Sequence, residues 1–205
     1  MDDVNVLARQ IREANRKLPP EKAQHLKCLN VKLRNPVLPQ HNIESCAGSH
    51  TLTPEEIKRF EEITPIKRGY FTPAEDEIIV ENWHAFCKLH DWNPKNFEPF
   101  LFLKDDRTTF IHSKRERRKF VQFLADGLPN RTLYSVYHRF RNIYTDHVQR
   151  RFLPEEDRMI LDHLEHNVHL NESRKYADLA IILKRTRAAI WRRYRLLKKK
   201  REIKK

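Results

Sequence analysis

Apolar and cationic residues divide the last helix-sized segment of the chain between two opposite sides. At about 100° per residue, Ile190, Tyr194 and Leu197 fall within roughly 60° of arc, and Arg192 and Arg195 lie across from them. This spacing predicts a helix whose apolar stripe packs on its own domain. The cationic side of the same helix is left for a polyanionic partner.

An earlier segment has the same layout. Over residues 130–144, Val136 and Phe140 recur on the side predicted to face inward, while Tyr134 and Arg141 lie on the outward side. Two helices of this kind in one chain indicate tandem nucleic-acid-binding modules.

Helix starts are marked by a threonine, a proline and an acidic first turn. This pattern occurs at residues 53–56 and again at 72–75, where the hydroxyl accepts from first-turn amides and the glutamate completes a capping box. It returns at 152–157 with Leu153 in place of the hydroxyl, which should cost about 1 kcal/mol of local stability. Apolar residues at helical spacing follow each start: Ile57, Phe60 and Ile63; Ile78, Ile79, Trp83 and Phe86; Met159, Ile160 and Leu164.

These starts and stripes predict two three-helix units, residues 67–145 and residues 150–198, followed by a basic tail at 199–205. The first unit has an insertion at 91–118 between its first two helices. The charged run 113–119 is predicted to be a solvated helix start. Internal repetition of this kind is stronger evidence than a single motif.

Residues 1–66 are predicted to form a separate helical N-terminal region. Val4 and Ala8 belong to an apolar set at helical spacing that the proline pair at 19–20 ends. The stretch 30–49 is rich in Pro, Asn, His and Ser and predicts a loop. Only three glycines occur, which disfavours a turn-rich β architecture. The predicted fold class is all-α.

The net charge of the chain indicates what kind of partner it binds. The chain has 41 Lys and Arg against 28 Asp and Glu, a formal charge of +13. Residues 131–205 hold 20 of the basic and 9 of the acidic residues, a balance of +11. Clustered cations of this kind are typical of a polyphosphate partner. No apolar run approaches the roughly 20 residues that span a bilayer, and no signal peptide is evident. Together with the charge, this predicts the nucleus or another nucleic-acid compartment, without a membrane.

The sequence offers little catalytic or metal-binding chemistry. Cys28, Cys46 and Cys87 form no CxxC pair and no cluster with histidine, so three free thiols and no zinc site are expected. The acidic pair at 105–106 falls in a predicted loop, and the acidic run at 155–157 suits a first helical turn. We expect no enzyme activity and no cofactor, although a DNA-binding fragment of a transposase or recombinase stays open.

The repeated pattern resembles the Myb/SANT repeat, a three-helix variant of the helix-turn-helix. The matching residues are 71–77, 128–132, Val136 and Phe140 in the first copy, and 152–157, Tyr176, Leu179, Ala180, Thr186, Ile190 and Tyr194 in the second. The family's spaced tryptophans correspond to Phe71, Val121 and Phe140, and to Phe152, Tyr176 and Tyr194. The long insertion and the adjoining second copy look like the branch of RNA polymerase I transcription termination factors and their cyclin-D-binding Myb-like relatives. In that branch a helical Myb-associated region precedes the repeats.

The resemblance implies that the last helix of each unit lies in the major groove of double-stranded DNA. The implied base-contacting residues are Tyr134, Tyr137, His138, Arg141 and Asn142 in the first unit, and Arg187, Ala188, Trp191, Arg192 and Arg195 in the second. Arginine can donate two parallel hydrogen bonds to guanine, which favours Arg141, Arg192 and Arg195 as base readers. The residues that suit phosphate contacts are Lys67, Arg68, Arg131, Lys184, Arg185 and Lys198. The implied role is transcription regulation or termination.

Several alternatives stay open at this point. A charged helix face is often only solvated. Tyr137 and Trp191 occupy equivalent positions and could pack against the insertion or another part of the chain, or contact thymine methyl groups. The cations at 198–201 suit a nuclear-localisation patch, a phosphate clamp or a solubilising tail. The competing function is a SANT-like module that binds transcription or chromatin proteins, for which the outward tyrosines of the first unit are candidates.

Overall fold

A computed structural model describes residues 4–15, 18–45, 50–101, 110–145, 147–148, 150–166 and 175–202. Over these residues the chain is all-α, as predicted, with nine α-helices and no strand. They are α1 (Val4–Asn15), α2 (Pro20–Lys27), α3 (Pro54–Glu61), α4 (Pro73–Leu89), α5 (Lys114–Leu124), α6 (Leu133–Tyr144), α7 (Pro154–His166), α8 (Lys175–Ile182) and α9 (Arg187–Glu202). Short 3-10 helices occur at Pro39–Asn42 and Glu98–Phe100. None of the described helices is long and apolar enough to cross a membrane.

The chain divides into two compact units. The large unit comprises residues 18–145, and the small unit combines residues 1–17 with residues 146–205. The predicted N-terminal region 1–66 is therefore not a unit by itself. Periodicity within α1 marks the side that is buried, but it cannot tell which distant helices bury it.

The core of the large unit is built around Trp83 of α4. Its ring lies 5.0 Å from that of Phe100, 6.1 Å from Phe120 and 5.4 Å from Phe140, measured between centroids. All four side chains are fully buried. Phe120 therefore fills central volume beside the smaller Val121, which is also buried. Aromatic pairs at these spacings add to the free energy gained from burying their area.

The small unit has a smaller core, which α1 helps to complete. Among the described apolar residues of α7, α8 and α9, the most fully buried are Ile160, Leu179 and Ile190. Ala8 of α1 is also fully buried, and Val4 packs against the same cluster. Because α1 packs on α8, the second predicted three-helix unit has a fourth helix from the other end of the sequence.

The predicted helix starts are confirmed. Thr53 and Thr72 each accept a hydrogen bond from the glutamate amide three residues on, and both capping boxes are complete. At the third start the amide of Leu153 donates to Oε2 of Glu156 at 2.7 Å. This start therefore keeps the glutamate half of the box without a hydroxyl cap.

Three local predictions are corrected. Pro20 is the first residue of α2 rather than only the end of the preceding helix, which is a position that tolerates its missing N–H. Ile63 is 50% exposed instead of inward. The run 113–119 starts α5 but is only partly solvated, because Glu116 and Arg117 are buried. Glu116 accepts from the amide of Val31 at 2.6 Å, a partner 85 residues away. Cys46 and residues 102–109 of the insertion lie outside the described residues.

Candidate nucleic-acid interface

Each unit contains a buried ion pair of the same kind, between the turn before one helix (α6 or α9) and the first turn of another (α4 or α7). In the large unit Arg131 donates to both carboxylate oxygens of Glu75, at 2.8 and 3.0 Å, and its guanidinium lies 4.1 Å from the ring of Phe71. In the small unit Arg185 donates to Glu156 at 3.0 Å and lies 4.3 Å from the ring of Phe152. The paired residues are 56 positions apart in the large unit and 29 in the small unit. The predicted insertion at 91–118 would account for a difference of this size.

The remaining donors of these arginines bind the backbone before the first repeated helix of each unit. Arg131 donates to the carbonyls of Lys67, Gly69 and Tyr70 at 2.7–3.1 Å. Arg185 donates in the same way to the carbonyls of Val148, Arg150 and Arg151. Arg131 and Arg185 are only 2% and 5% exposed. They are therefore internal clamps and not the phosphate-contacting residues that the sequence predicted.

A second ion pair is duplicated as well. Arg139 on α6 holds Asp76 on α4 with a 2.6 Å hydrogen bond, and Arg193 on α9 holds Asp157 on α7 at 2.7 and 2.6 Å. Sequence reasoning missed these arginines. The signal was present, because each arginine follows its buried clamp by the same interval and each aspartate directly follows the clamped glutamate.

The outer side of α9 is cationic and exposed. Arg192 and Arg195 are exposed, and Trp191 on the same side is 43% exposed. The guanidinium of Arg195 lies 5.0 Å from the centroid of the Trp191 ring, whereas Nε of Arg192 donates to the carbonyl of Ala188 at 3.3 Å within the same helix. Arg187 and Ala188 are exposed one turn earlier. From residue 187 to residue 201 the sequence has no acidic residue.

The corresponding side of α6 is covered at its centre. Tyr137, which matches Trp191, is only 2% exposed, and its hydroxyl donates to the carbonyl of Phe100 at 3.1 Å. Phe100 belongs to the insertion, so the predicted alternative that this tyrosine packs there is confirmed. Its side chain is not available as a DNA contact. Trp191 itself is 43% exposed.

Glu44 caps the first turn of α6. Its carboxylate accepts from the amides of Leu133 at 2.5 Å and of Tyr134 at 3.1 Å, and only 4% of Glu44 is exposed. Burial raises the pKa of Glu44 to about 7, against the opposite effect of these two amides. Nearby, Nε2 of Gln40 donates to the carbonyl of Pro129 at 3.0 Å. The predicted loop therefore packs on the turn before α6, and no local pattern reveals a cap 89 residues away.

Three of the predicted contact residues of α6 are half-buried: Tyr134, His138 and Arg141. Tyr134 is half-buried with its ring 4.3 Å from that of His138, which is also half-buried. Arg141 is half-buried and lies 5.9 Å from the Tyr137 ring. Asn142 is exposed. Of the five predicted contact residues of α6, Asn142 is thus the most accessible.

The other predicted phosphate-contacting residues are exposed, and two of them already have acidic neighbours. Nζ of Lys67 lies 3.2 Å from Glu75, and Arg68 lies 3.3 Å from Glu61. Lys184 is exposed with a backbone φ of 47°. Lys198 is exposed, with its Nζ 5.7 Å from the Tyr194 ring. Lys198 therefore extends the cationic surface of α9 toward the end of the helix.

The small unit has the larger positive charge of the two. It has 21 Lys and Arg against 12 Asp and Glu, and the large unit has 20 against 16.

Comparison of the chain with protein-family models, with curated proteins and with solved structures finds no match.

Proposed function

We propose that the chain binds double-stranded DNA in a sequence-specific way and acts in transcription regulation or termination in the nucleus, with α9 as the main reading helix. The observation that carries this proposal is the outer side of α9. It presents Arg192 and Arg195 beside the exposed Trp191, with no carboxylate on the same stretch of helix. A helix anchored by Ile190 on one side and cationic on the other fits a major groove.

The two parts of the α9 surface have different roles in this proposal. Arg192 and Arg195 donate pairs of hydrogen bonds to guanine edges, which selects sequence. Lys198 and the cations after it bind phosphates, which sets register without reading bases. Each neutralised phosphate contributes about −0.9 to the slope of log affinity against log salt.

We also propose that the two units are Myb-like repeats whose reading helices have diverged. The duplicated clamp, Arg131 with Glu75 and Arg185 with Glu156, supports a common three-helix plan. In the first copy, Glu44 and the insertion occupy the parts of α6 that reading a base edge would require. The half-buried Arg141, near the end of α6, then contributes a phosphate contact rather than sequence reading.

Selection of bound sequences from a pool of random duplexes tests the function. We expect one dominant motif for the full chain and loss of that motif for the Arg192→Ala, Arg195→Ala double variant. Arg158→Ala removes an exposed cation from α7 of the same unit and is the matched control, which should keep the motif. Recovery of only sequence-blind, salt-sensitive binding by the full chain would refute sequence specificity.

Two observations favour a SANT-like interaction module for the large unit. Its charges are nearly balanced, and Tyr70, shortly before α4, is 99% exposed. A transcription or chromatin protein would then be its partner. Pulldown with basic histone-type peptides and with duplex DNA, using the full chain and Tyr70→Ala, separates this candidate from DNA binding. Peptide capture that depends on Tyr70 would support it.

A further inference from the structure

Trp191 is the exposed aromatic residue on the cationic side of α9. Its neighbour Ile190 is fully buried, so the helix is anchored without the tryptophan. At the matching position of the large unit, Tyr137 is 2% exposed and has a hydrogen-bond partner in Phe100. An indole that is 43% exposed leaves much of a large apolar surface in water.

The surroundings of Trp191 define what it can bind. The Arg195 guanidinium lies 5.0 Å from the ring centroid, and Arg187, one turn before Trp191, is also exposed. A cation over the ring holds both side chains in a defined arrangement. Trp191 therefore presents an exposed apolar ring next to hydrogen-bond donors that suit guanine or phosphate.

The major groove has one apolar group that such a ring can contact. Guanine, cytosine and adenine present donors and acceptors on their groove edges, whereas thymine adds the C5-methyl group. We infer that Trp191 contacts the C5-methyl of a thymine and so makes the protein select thymine at one position of its site. This inference depends on the proposed DNA binding by α9.

The spacing along α9 also places that thymine. Trp191 and Arg195 are one turn apart, about 6 Å along the helix axis at 1.5 Å per residue. Base pairs stack about 3.4 Å apart. The selected thymine therefore lies within about two base pairs of the guanine that Arg195 reads.

Replacement of thymine by deoxyuridine is the sharpest test, because it removes only the methyl group. Each thymine of the selected duplex is replaced in turn, and affinity is measured for the wild type, Trp191→Ala and Leu196→Ala. Leu196 is 53% exposed and lies about 140° around α9 from Trp191, so it is the matched control. At one thymine we expect a loss of about fourfold for the wild type and for Leu196→Ala, as for one buried methyl group. Trp191→Ala should bind both duplexes equally.

The outcomes separate this inference from the proposed function. If the wild type selects a sequence but binds uridine and thymine equally at every position, the inference is wrong and DNA reading by α9 stands. An unchanged thymine preference in Trp191→Ala would likewise overturn the inference alone. If the wild type selects no sequence at all, the proposed function fails first. Trp191→Phe keeps an apolar ring and should retain the preference, which guards against misfolding of the alanine variant.

Discussion

Arg131 holds both carboxylate oxygens of Glu75, at 2.8 and 3.0 Å, in a site where the arginine side chain is 2% exposed. The pair joins the first turn of α4 to the turn before α6. Because the charge of Arg131 is buried, its removal from water is compensated only while Glu75 stays ionised and in place. This pair fixes the mutual placement of two helices of the large unit.

Glu75→Gln should destabilise the large unit by about 3 kcal/mol, because it leaves Arg131 buried without an anionic partner. Hydrogen exchange of the α4 and α6 amides reports the loss locally. Glu77→Gln removes an exposed carboxylate two residues away and should change exchange little. Equal protection in the two variants would mean that the ion pair contributes no stability.

The same pair predicts acid sensitivity. The hydrogen bonds from Arg131 hold the pKa of Glu75 well below its ordinary value of 4.5. A carboxyl whose pKa is lower in the folded state contributes stability that is fully present above the unfolded value and is lost as pH falls below it. Stability of the large unit should therefore fall below about pH 4.5. In Glu75→Gln the fall should be shallower, as measured by urea unfolding at a series of pH values; an unchanged slope would contradict the assignment.

Local patterns predicted the parts of the molecule that local physics controls. The capping boxes at Thr53 and Thr72 and the buried stripe of α4 depend on residues within a turn or two, so the sequence alone was sufficient. The role of Arg131 was not predictable in this way. A cation just before a helix has the same local pattern whether it points to a phosphate or to a glutamate 56 residues away.

Long-range packing also determines which of the two candidate helices, α6 or α9, keeps its polar side exposed. The sequence placed α6 and α9 on an equal footing, since both are apolar on one side and polar on the other. The difference comes from Glu44 and Phe100, which reach α6 from 89 and 37 residues away. Periodicity within a helix contains no information on which distant segment covers its polar side.

Helix α1 is expected to be essential for the small unit. Ala8 is fully buried there, so Ala8→Asp would place a carboxylate in an apolar contact without a partner. We expect destabilisation of at least about 2 kcal/mol. Hydrogen exchange should show lost protection in α8 and α9, whereas Arg9→Ala, at an 80% exposed side chain, should leave it unchanged. Normal protection in Ala8→Asp would show that α1 does not complete this core.

Glu44→Ala should loosen the start of α6. Two amides, those of Leu133 and Tyr134, would lose their acceptor, and loss of a helix cap costs about 1–2 kcal/mol. Faster hydrogen exchange at these two amides measures the effect. Glu55→Ala removes an exposed carboxylate from the first turn of α3 and serves as the control. No change in exchange at the two amides would contradict the capping role.

The affinities of the wild type, Arg192→Ala and Arg141→Ala for every single-base variant of the selected duplex test whether α9 reads the sequence. We predict that Arg192→Ala loses about 1–3 kcal/mol of discrimination at one base pair. Arg141→Ala should weaken all duplexes alike and reduce the salt slope by about 0.9. If Arg192→Ala weakens all duplexes alike, or if Arg141→Ala is the variant that relaxes one position, α9 is not the reading helix.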